Sequence, residues 1–487
     1  MTSRTTDDSA RSLLSAAAVR NTSRRVLALA IDGALEDWSV DLARLQPTAD
    51  FVAKVVRERY PKGQPPFHAR WRHFVFSGRD LWSEISARRR WESPAAAARA
   101  AFDLAITSVL LDAGAGPTWR YHDGGLDGLT VARSEGLALA SLRWFERGGL
   151  SDDPVRDPLR ADAAALCRVD AAAVDKAFQV GVGNPLQGAP GRAALLNRLG
   201  QAVLRRPDLF ATSDVPRPGG LFDALVRRAA ETVDAPGAAQ AADAAGAPGR
   251  SAAAVTSGAS GALGAHGTSS APGAPSTSSA LGASSASGTS SASGTPRVSS
   301  APGGTIAAPL ILELLLEGLG SIWPNRPVLD GVPLGDCWSF APLRGPRSLD
   351  QFVPLHKLSQ WLAYSLIEPL EAAGLRVSDI GGLTGLAEYR NGGLLVDMGV
   401  LVPRDPGAFS RTHDVSDPFV VGWRSATVAL LDELAPLVAE RLGFAAEEFP
   451  LARVLEGGTW AAGRLIAREK RADGGPPFQI SSDGTVF

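Results

Sequence analysis

Residues 354–400 read PLHKLSQWLAYSLIEPLEAAGLRVSDIGGLTGLAEYRNGGLLVDMGV, and the fold class turns on this stretch. Leu355, Leu358, Leu362, Leu366 and Leu370 recur every three or four residues, which places them on one face of an amphipathic helix. Pro354 suits a first helical turn, and Gly374 suits the residue just past the end. His356, Lys357 and Gln360 lie off the leucine stripe. A turn is expected at Gly381-Gly382. Glu388-Tyr389-Arg390 then stands between an apolar segment and the Gly392-Gly393 pair. A carboxylate, a phenol and a guanidinium in succession are poor core material and good material for the wall of a polar pocket.

Outward from this stretch the pattern is helical. Residues 9–32, 47–60, 94–112, 134–148 and 170–178 read as helices, with Ser134 and Asp170 as N-caps. Further helices are expected from about Gly191, from Ala308 to near Gly318, and over 428–444, where Pro436 should interrupt. Helical signals outnumber strand signals, so the expected class is mainly α with a few short strands. Residues 235–305 collapse to Ala, Ser, Gly, Thr and Pro, too poor in apolar surface to offset the entropy of ordering. They are expected to be a disordered insertion that splits one fold into an N-terminal part, 1–234, and a C-terminal part, 306–487. Lengthening a loop through four doublings costs only about 2.5 kcal/mol, so the tract is expected to be dispensable.

Composition excludes several classes. The chain has 487 residues, 49 basic and 51 acidic, for a formal net charge of −2. That balance supplies no global attraction to nucleic acid or to an acidic membrane. Cys167 and Cys337 are the two cysteines, and no Cys/His spacing suits zinc. The six histidines are scattered, so neither metal nor cofactor is expected. The N-terminus lacks a signal-peptide core, and no run is long and apolar enough to span a membrane. A cytoplasmic protein is the expectation.

Three segments invite a ligand reading. GAGPTW at 114–119 lacks a third glycine and has Pro117 where a helix should open, so it is not a dinucleotide loop. A tight turn presenting Asp112, Trp119 and Tyr121 fits it better. The two aromatics could stack on a flat ligand, although core packing is the commoner role. VGVGNPLQGAPG at 180–191 could cradle an anion, but it lacks the Lys-Ser/Thr pair of a P-loop. PPFHARWRHF at 65–74 reads either as a surface loop anchored by Trp71 and Phe74 or as an anion site built on Arg and His donors.

Glu388 is the candidate catalytic carboxylate. Breaking an N-glycosidic bond builds positive charge on the sugar, which a carboxylate stabilises, or the carboxylate takes a proton from water. Lys357 and Arg390 could hold a phosphate, and Tyr389 could bind the base-like part. The same residues also suit an interior ion pair, Glu388 with Arg390 or Lys357, that merely orients a turn.

VLLDAGAGPTWRY (109–121), HKLSQWLAYSLIEPLE (356–371), LTGLAEYRNGGLLVD (383–397) and the terminal GTVF resemble the uracil-catabolism family that forms the fourth component of the URC route in fungi and bacteria. The resemblance covers nearly the whole chain outside 235–305. It implies a place in a route that opens the pyrimidine ring of a uracil nucleotide and releases urea. The expected activity is N-ribosyl hydrolysis of a ring-opened, ribosylurea-type compound, with a ribosyl or ribosyl-phosphate substrate. Association with the other enzymes of that route is the partner expected. A non-catalytic role as scaffold for those enzymes is the alternative.

A more distant similarity reaches the queuosine-monophosphate salvage N-glycosylases. It implies a helix-hairpin-helix, DNA-glycosylase-like helical architecture. Lys357, Gln360, Tyr389 and Arg390 match that pattern in identity. Glu388 stands where the pattern has an aspartate, and His356 where it has a tyrosine, which implies a different ligand. The resemblance thus implies Glu388 and Lys357 as catalytic, with His356, Gln360, Tyr389 and Arg390 at the substrate.

Overall fold

The computed structural model describes residues 9–61, 64–112, 114–211, 215–234 and 304–481. The principal helices are α1 (Ala16–Ile31), α2 (Leu45–Arg59), α3 (Pro94–Leu110), α4 (Arg133–Glu146), α5 (Ala189–Arg205), α6 (Leu221–Asp234), α7 (Ala308–Leu319), α8 (Lys357–Ala372), α9 (Tyr389–Asp397), α10 (Pro418–Leu442) and α11 (Trp460–Lys470). Strands are two or three residues long and join only in pairs among the described residues. The fold is mainly α, as the sequence predicts.

The parts of the chain before and after the Ala/Ser/Gly/Thr/Pro tract form one compact unit. Within the tract, 235–303 lie outside the described residues, so its expected disorder does too. Order begins before the anticipated Ala308: Thr305–Ala307 is a strand that pairs in parallel with Arg376–Ser378 just beyond α8.

Two long helices organise the core. α10 packs against α1, α2 and α9, while α8 packs against α3 and α7. The leucine stripe locates α8, but α8 is buried on almost every side rather than on one. Its small and polar positions find internal partners: Ser365 Oγ accepts the Arg70 N–H at 2.9 Å and donates to the Trp361 carbonyl at 2.9 Å. Gly374 has φ +87°, the left-handed conformation expected past a helix end. Pro354 instead closes a strand, Phe352–Pro354, that pairs with Cys337–Ser339.

Other local expectations need correction. α10 starts at Pro418 and runs through Pro436 without a break. Gly392 and Gly393 lie inside α9. A Cβ on Gly392 would sit 2.7 Å from the Trp423 indole nitrogen, so the glycine serves a close helix crossing. Gly463 of α11 does the same against the Arg390 carbonyl, where a Cβ would approach to 2.2 Å. Residues 68–74 are not a surface loop: His68, Arg70, Trp71, His73 and Phe74 are all buried. Among the described residues no helix is long and apolar enough to cross a membrane.

Candidate active site

A cavity of about 370 Å³ opens where the N-termini of α4, α8 and α9 converge. α4 contributes Arg133 and Ser134, α8 Lys357 and Trp361, and α9 Tyr389 and Arg390 together with its cap Glu388. His68 and His73 form part of the wall, as do Asp112 and Trp460. Three helix N-termini, with Lys357, Arg390 and Arg133 among them, make the cavity a good host for an anionic group.

Glu388 is the N-cap of α9. Its Oε1 accepts the Asn391 N–H at 3.0 Å, and no other hydrogen bond to the carboxylate occurs among the described residues. The side chain is buried and yet lines the cavity. No ion pair within 4.0 Å joins Glu388 to Lys357 or Arg390 among the described residues, so the salt-bridged turn is not what holds this carboxylate. The N-cap hydrogen bond from Asn391 holds it instead.

Lys357 is the first residue of α8. Burial pushes its ammonium pKa down, and the Glu388 and Asp112 charges only partly oppose the shift. Its Nζ lies 6.0 Å from the centre of the Trp361 ring. The Arg390 guanidinium sits over both Tyr389, at 4.9 Å, and Trp460, at 5.1 Å. Burial raises the Tyr389 pKa, so its phenol is a hydrogen-bond donor at neutral pH. Asp112 is also held above its ordinary range by burial, against the pull of Arg70, 3.0 Å away, and of Lys357.

A buried ion pair fixes the two candidate catalytic residues to each other. Arg424 of α10 donates to both Asp336 oxygens, at 2.9 and 2.7 Å. Asp336 Oδ2 also accepts the Lys357 N–H at 3.0 Å, while Arg424 Nε donates to the Ala387 carbonyl at 3.1 Å. One pair therefore grips the residue that carries the lysine and the residue that precedes Glu388. α8 adds a second clamp at Thr384, whose N–H donates to Gln360 Oε1 at 3.4 Å and whose carbonyl accepts the Tyr364 hydroxyl at 3.0 Å.

Of the eight residues singled out from sequence, Glu388, Lys357, Tyr389 and Arg390 come together at the cavity, and the other four do not line it. Gln360 is fully buried and works as the clamp just described. His356 is buried with φ +46°, and its Nε2 lies 2.9 Å from the Leu13 carbonyl. Burial keeps its pKa low, so it is a neutral structural histidine. Trp119 is 0% exposed and donates its indole N–H to the Phe178 carbonyl at 2.9 Å. Tyr121 packs beside it in the strand Tyr121–Asp123. The turn after α3 presents Asp112, Gly114, Ala115 and Pro117 instead. Ser134 is not an N-cap either: Ala132 holds that position, and Ser134 faces the cavity. Sequence reasoning missed Trp361, Trp460 and Arg133, and it left the segment with His68 and His73 open between a surface loop and an anion site. Among the described residues no group of three or more His, Cys, Asp and Glu side chains is arranged to hold a metal.

The comparisons with known proteins agree over most of the chain. The model of the family described as "Protein of unknown function (DUF1688)" matches residues 12–242 and 293–487. The chain is 32% identical over 488 residues to uracil catabolism protein 4 of Lachancea kluyveri, covering 94% of this chain and 93% of that one. It is also 32% identical over 492 residues to protein urg3 of Schizosaccharomyces pombe (strain 972), covering 98% of each. The chain belongs to the family described as DUF1688, and over nearly its whole length it is related to these two proteins.

Proposed function

We propose that this protein acts in uracil catabolism as an N-ribosyl hydrolase, cleaving the bond between a sugar and the ureido nitrogen of a ring-opened uracil nucleotide derivative. The observation that carries this reading is the shared cavity of Glu388 and Lys357: one rigid, capped carboxylate beside cationic groups and aromatic rings. Glu388 works on the anomeric carbon, by stabilising its developing positive charge or by taking a proton from water. Lys357, Arg390 and Arg133 hold a sugar phosphate at the converging helix N-termini. Trp361, Trp460 and Tyr389 face the planar ureido part. The name of the L. kluyveri relative supports the pathway. The helix-hairpin-helix glycosylase-like arrangement belongs to the same reading.

The test is a substrate panel. Purified protein is incubated with uridine, ribosylurea and ribosylurea 5′-phosphate, and free urea is assayed. Release from a ribosylurea, greater for the phosphorylated form, is expected; no urea from any of them sinks the reading. Lys357→Met is expected to raise KM for the phosphorylated compound at least as much as it lowers kcat, because it removes an anchor used in ground and transition states alike. In the native protein, affinity for that anion should weaken with rising pH earlier than an ordinary lysine dictates, since burial has lowered the Lys357 pKa. Steady-state kinetics from neutral to alkaline pH measure both.

The N-cap geometry of Glu388 also favours a second reading, a non-catalytic partner for the other uracil-catabolism enzymes in which this carboxylate only starts a helix. It predicts that Glu388→Gln changes nothing but helix stability.

A further inference from the structure

A histidine–glutamate pair stands at another wall of the same cavity. His68 Nδ1 lies 2.7 Å from Glu456 Oε2, and both side chains are buried. His68 Nε2 has no hydrogen-bond partner among the described residues, yet it is not among the buried atoms shut off from the surroundings, and His68 lines the cavity. Glu456 thus sets the tautomer and the ring orientation, leaving Nε2 as the nitrogen that can exchange a proton with a ligand. Its location is built with care. The His68 N–H donates to the Ala452 carbonyl at 3.0 Å, which ties this segment to the helical run at 451–454. Glu456 sits in a single π-turn, Leu455–Thr459, at the entry to α11, and π-turns favour functional sites. Gly457 and Gly458 admit that turn, since a Cβ would lie 2.6 Å from Pro65 and 2.5 Å from Val52 respectively. The turn delivers Glu456 to His68 and Trp460 to the cavity.

The surroundings suit a proton donor to an uncharged, planar group. His68 and His73 lie about 6 Å, ring centre to ring centre, from both Trp361 and Trp460. Burial and the Arg70 charge push the His73 pKa down to about 3, so His73 stays neutral. Burial works to raise the Glu456 pKa, but the hydrogen bond from His68 and the nearby Arg59 charge help to outweigh it, and the group stays a carboxylate.

We propose that His68, oriented by Glu456, donates the proton to the departing ureido nitrogen. This rests on the N-ribosyl hydrolase reading, which otherwise lacks an acid: a ureido nitrogen is too basic to leave as an anion. In the step, the C1′–N bond breaks and its electron pair passes to nitrogen, which takes the proton from His68 Nε2. Water bonds to C1′ and gives a proton to Glu388. Urea and the free sugar depart, and a proton returns from Glu388 to His68 through solvent, so the sum is addition of one water.

Leaving-group dependence tests the proposal. A nitrophenyl riboside releases a nitrophenolate, which departs without a proton. His68→Asn is expected to slow urea release from the ribosylurea substrate by about 100-fold or more, and cleavage of the nitrophenyl riboside by less than about tenfold. Both rates come from one preparation, so partial misfolding cancels in the ratio. Glu456→Gln should show the same split to a smaller degree, and it supplies the answer if His68→Asn fails to fold. Equal losses on both substrates, or none, overturn the donor role while leaving the reading of Glu388 intact. A native protein inactive on both compounds overturns the N-ribosyl hydrolase reading and this proposal with it.

Discussion

Glu388→Gln is expected to lower kcat by on the order of a hundredfold or more while KM and melting temperature barely move. The geometry allows this separation. The glutamine amide oxygen can still accept the Asn391 N–H that Oε1 now accepts at 3.0 Å, so the cap on α9 persists. Only the negative charge is removed, and with it the stabilisation of positive charge that develops in the transition state. Glu388→Ala removes the cap as well, and should cost about 1 kcal/mol of stability in addition. Glu388→Asp keeps a good capping residue but withdraws the carboxylate by one methylene from the cavity. Substantial activity in that variant would mean that the extra length is accommodated, not required. Kinetics and thermal melting on the same preparations separate the three.

Arg424→Met is expected to destabilise the fold by about 3–5 kcal/mol, because it leaves the Asp336 charge buried and unpaired. Burial by itself raises the Asp336 pKa. The Arg424 charge and the hydrogen bonds from Arg424, Trp338 and the Lys357 N–H outweigh it, and the net value falls well below the usual carboxylate range. A carboxylate whose folded pKa is depressed contributes stability that is present above its unfolded pKa, about 3.9, and lost as pH falls through the folded pKa. The gap between native protein and variant should therefore be widest near neutrality and narrow in acid, where the variant's buried Asp336 takes up a proton. Denaturant unfolding at several pH values measures it. Activity should fall further than the folded fraction does, since the pair holds both the Lys357 N–H and the Ala387 carbonyl. A loss below about 1 kcal/mol would show that the two charges are better solvated than their burial implies.

What could be read in the sequence was what local periodicity and local chemistry carry. The leucine spacing located α8, and the Glu-Tyr-Arg succession marked a wall of the cavity. The all-round burial of α8 was not legible, because Gln360 and Ser365 look solvent-facing until Thr384 and Arg70 are folded against them. The need for glycine at position 392 was not legible, because the Trp423 indole that demands it arrives from another helix. His68 looked like part of a surface loop because its partner, Glu456, lies 388 residues away in sequence. Trp119 and Tyr121 were offered a ligand, but a strand and Phe178 take them into the core. A composition of this kind reports which groups need partners; the partners themselves come from the topology.

The central claim is that Glu388 drives N-glycosidic hydrolysis in this cavity. Its most direct test follows ribosylurea 5′-phosphate, labelled with carbon-13 at the ureido carbon, by NMR in the presence of native protein and of folded Glu388→Gln. The native protein is expected to convert the label to free urea in step with the appearance of ribose 5-phosphate, while the variant leaves it on the sugar over the same time. Equal conversion by the two proteins, or a label that stays on the sugar with both, would contradict it.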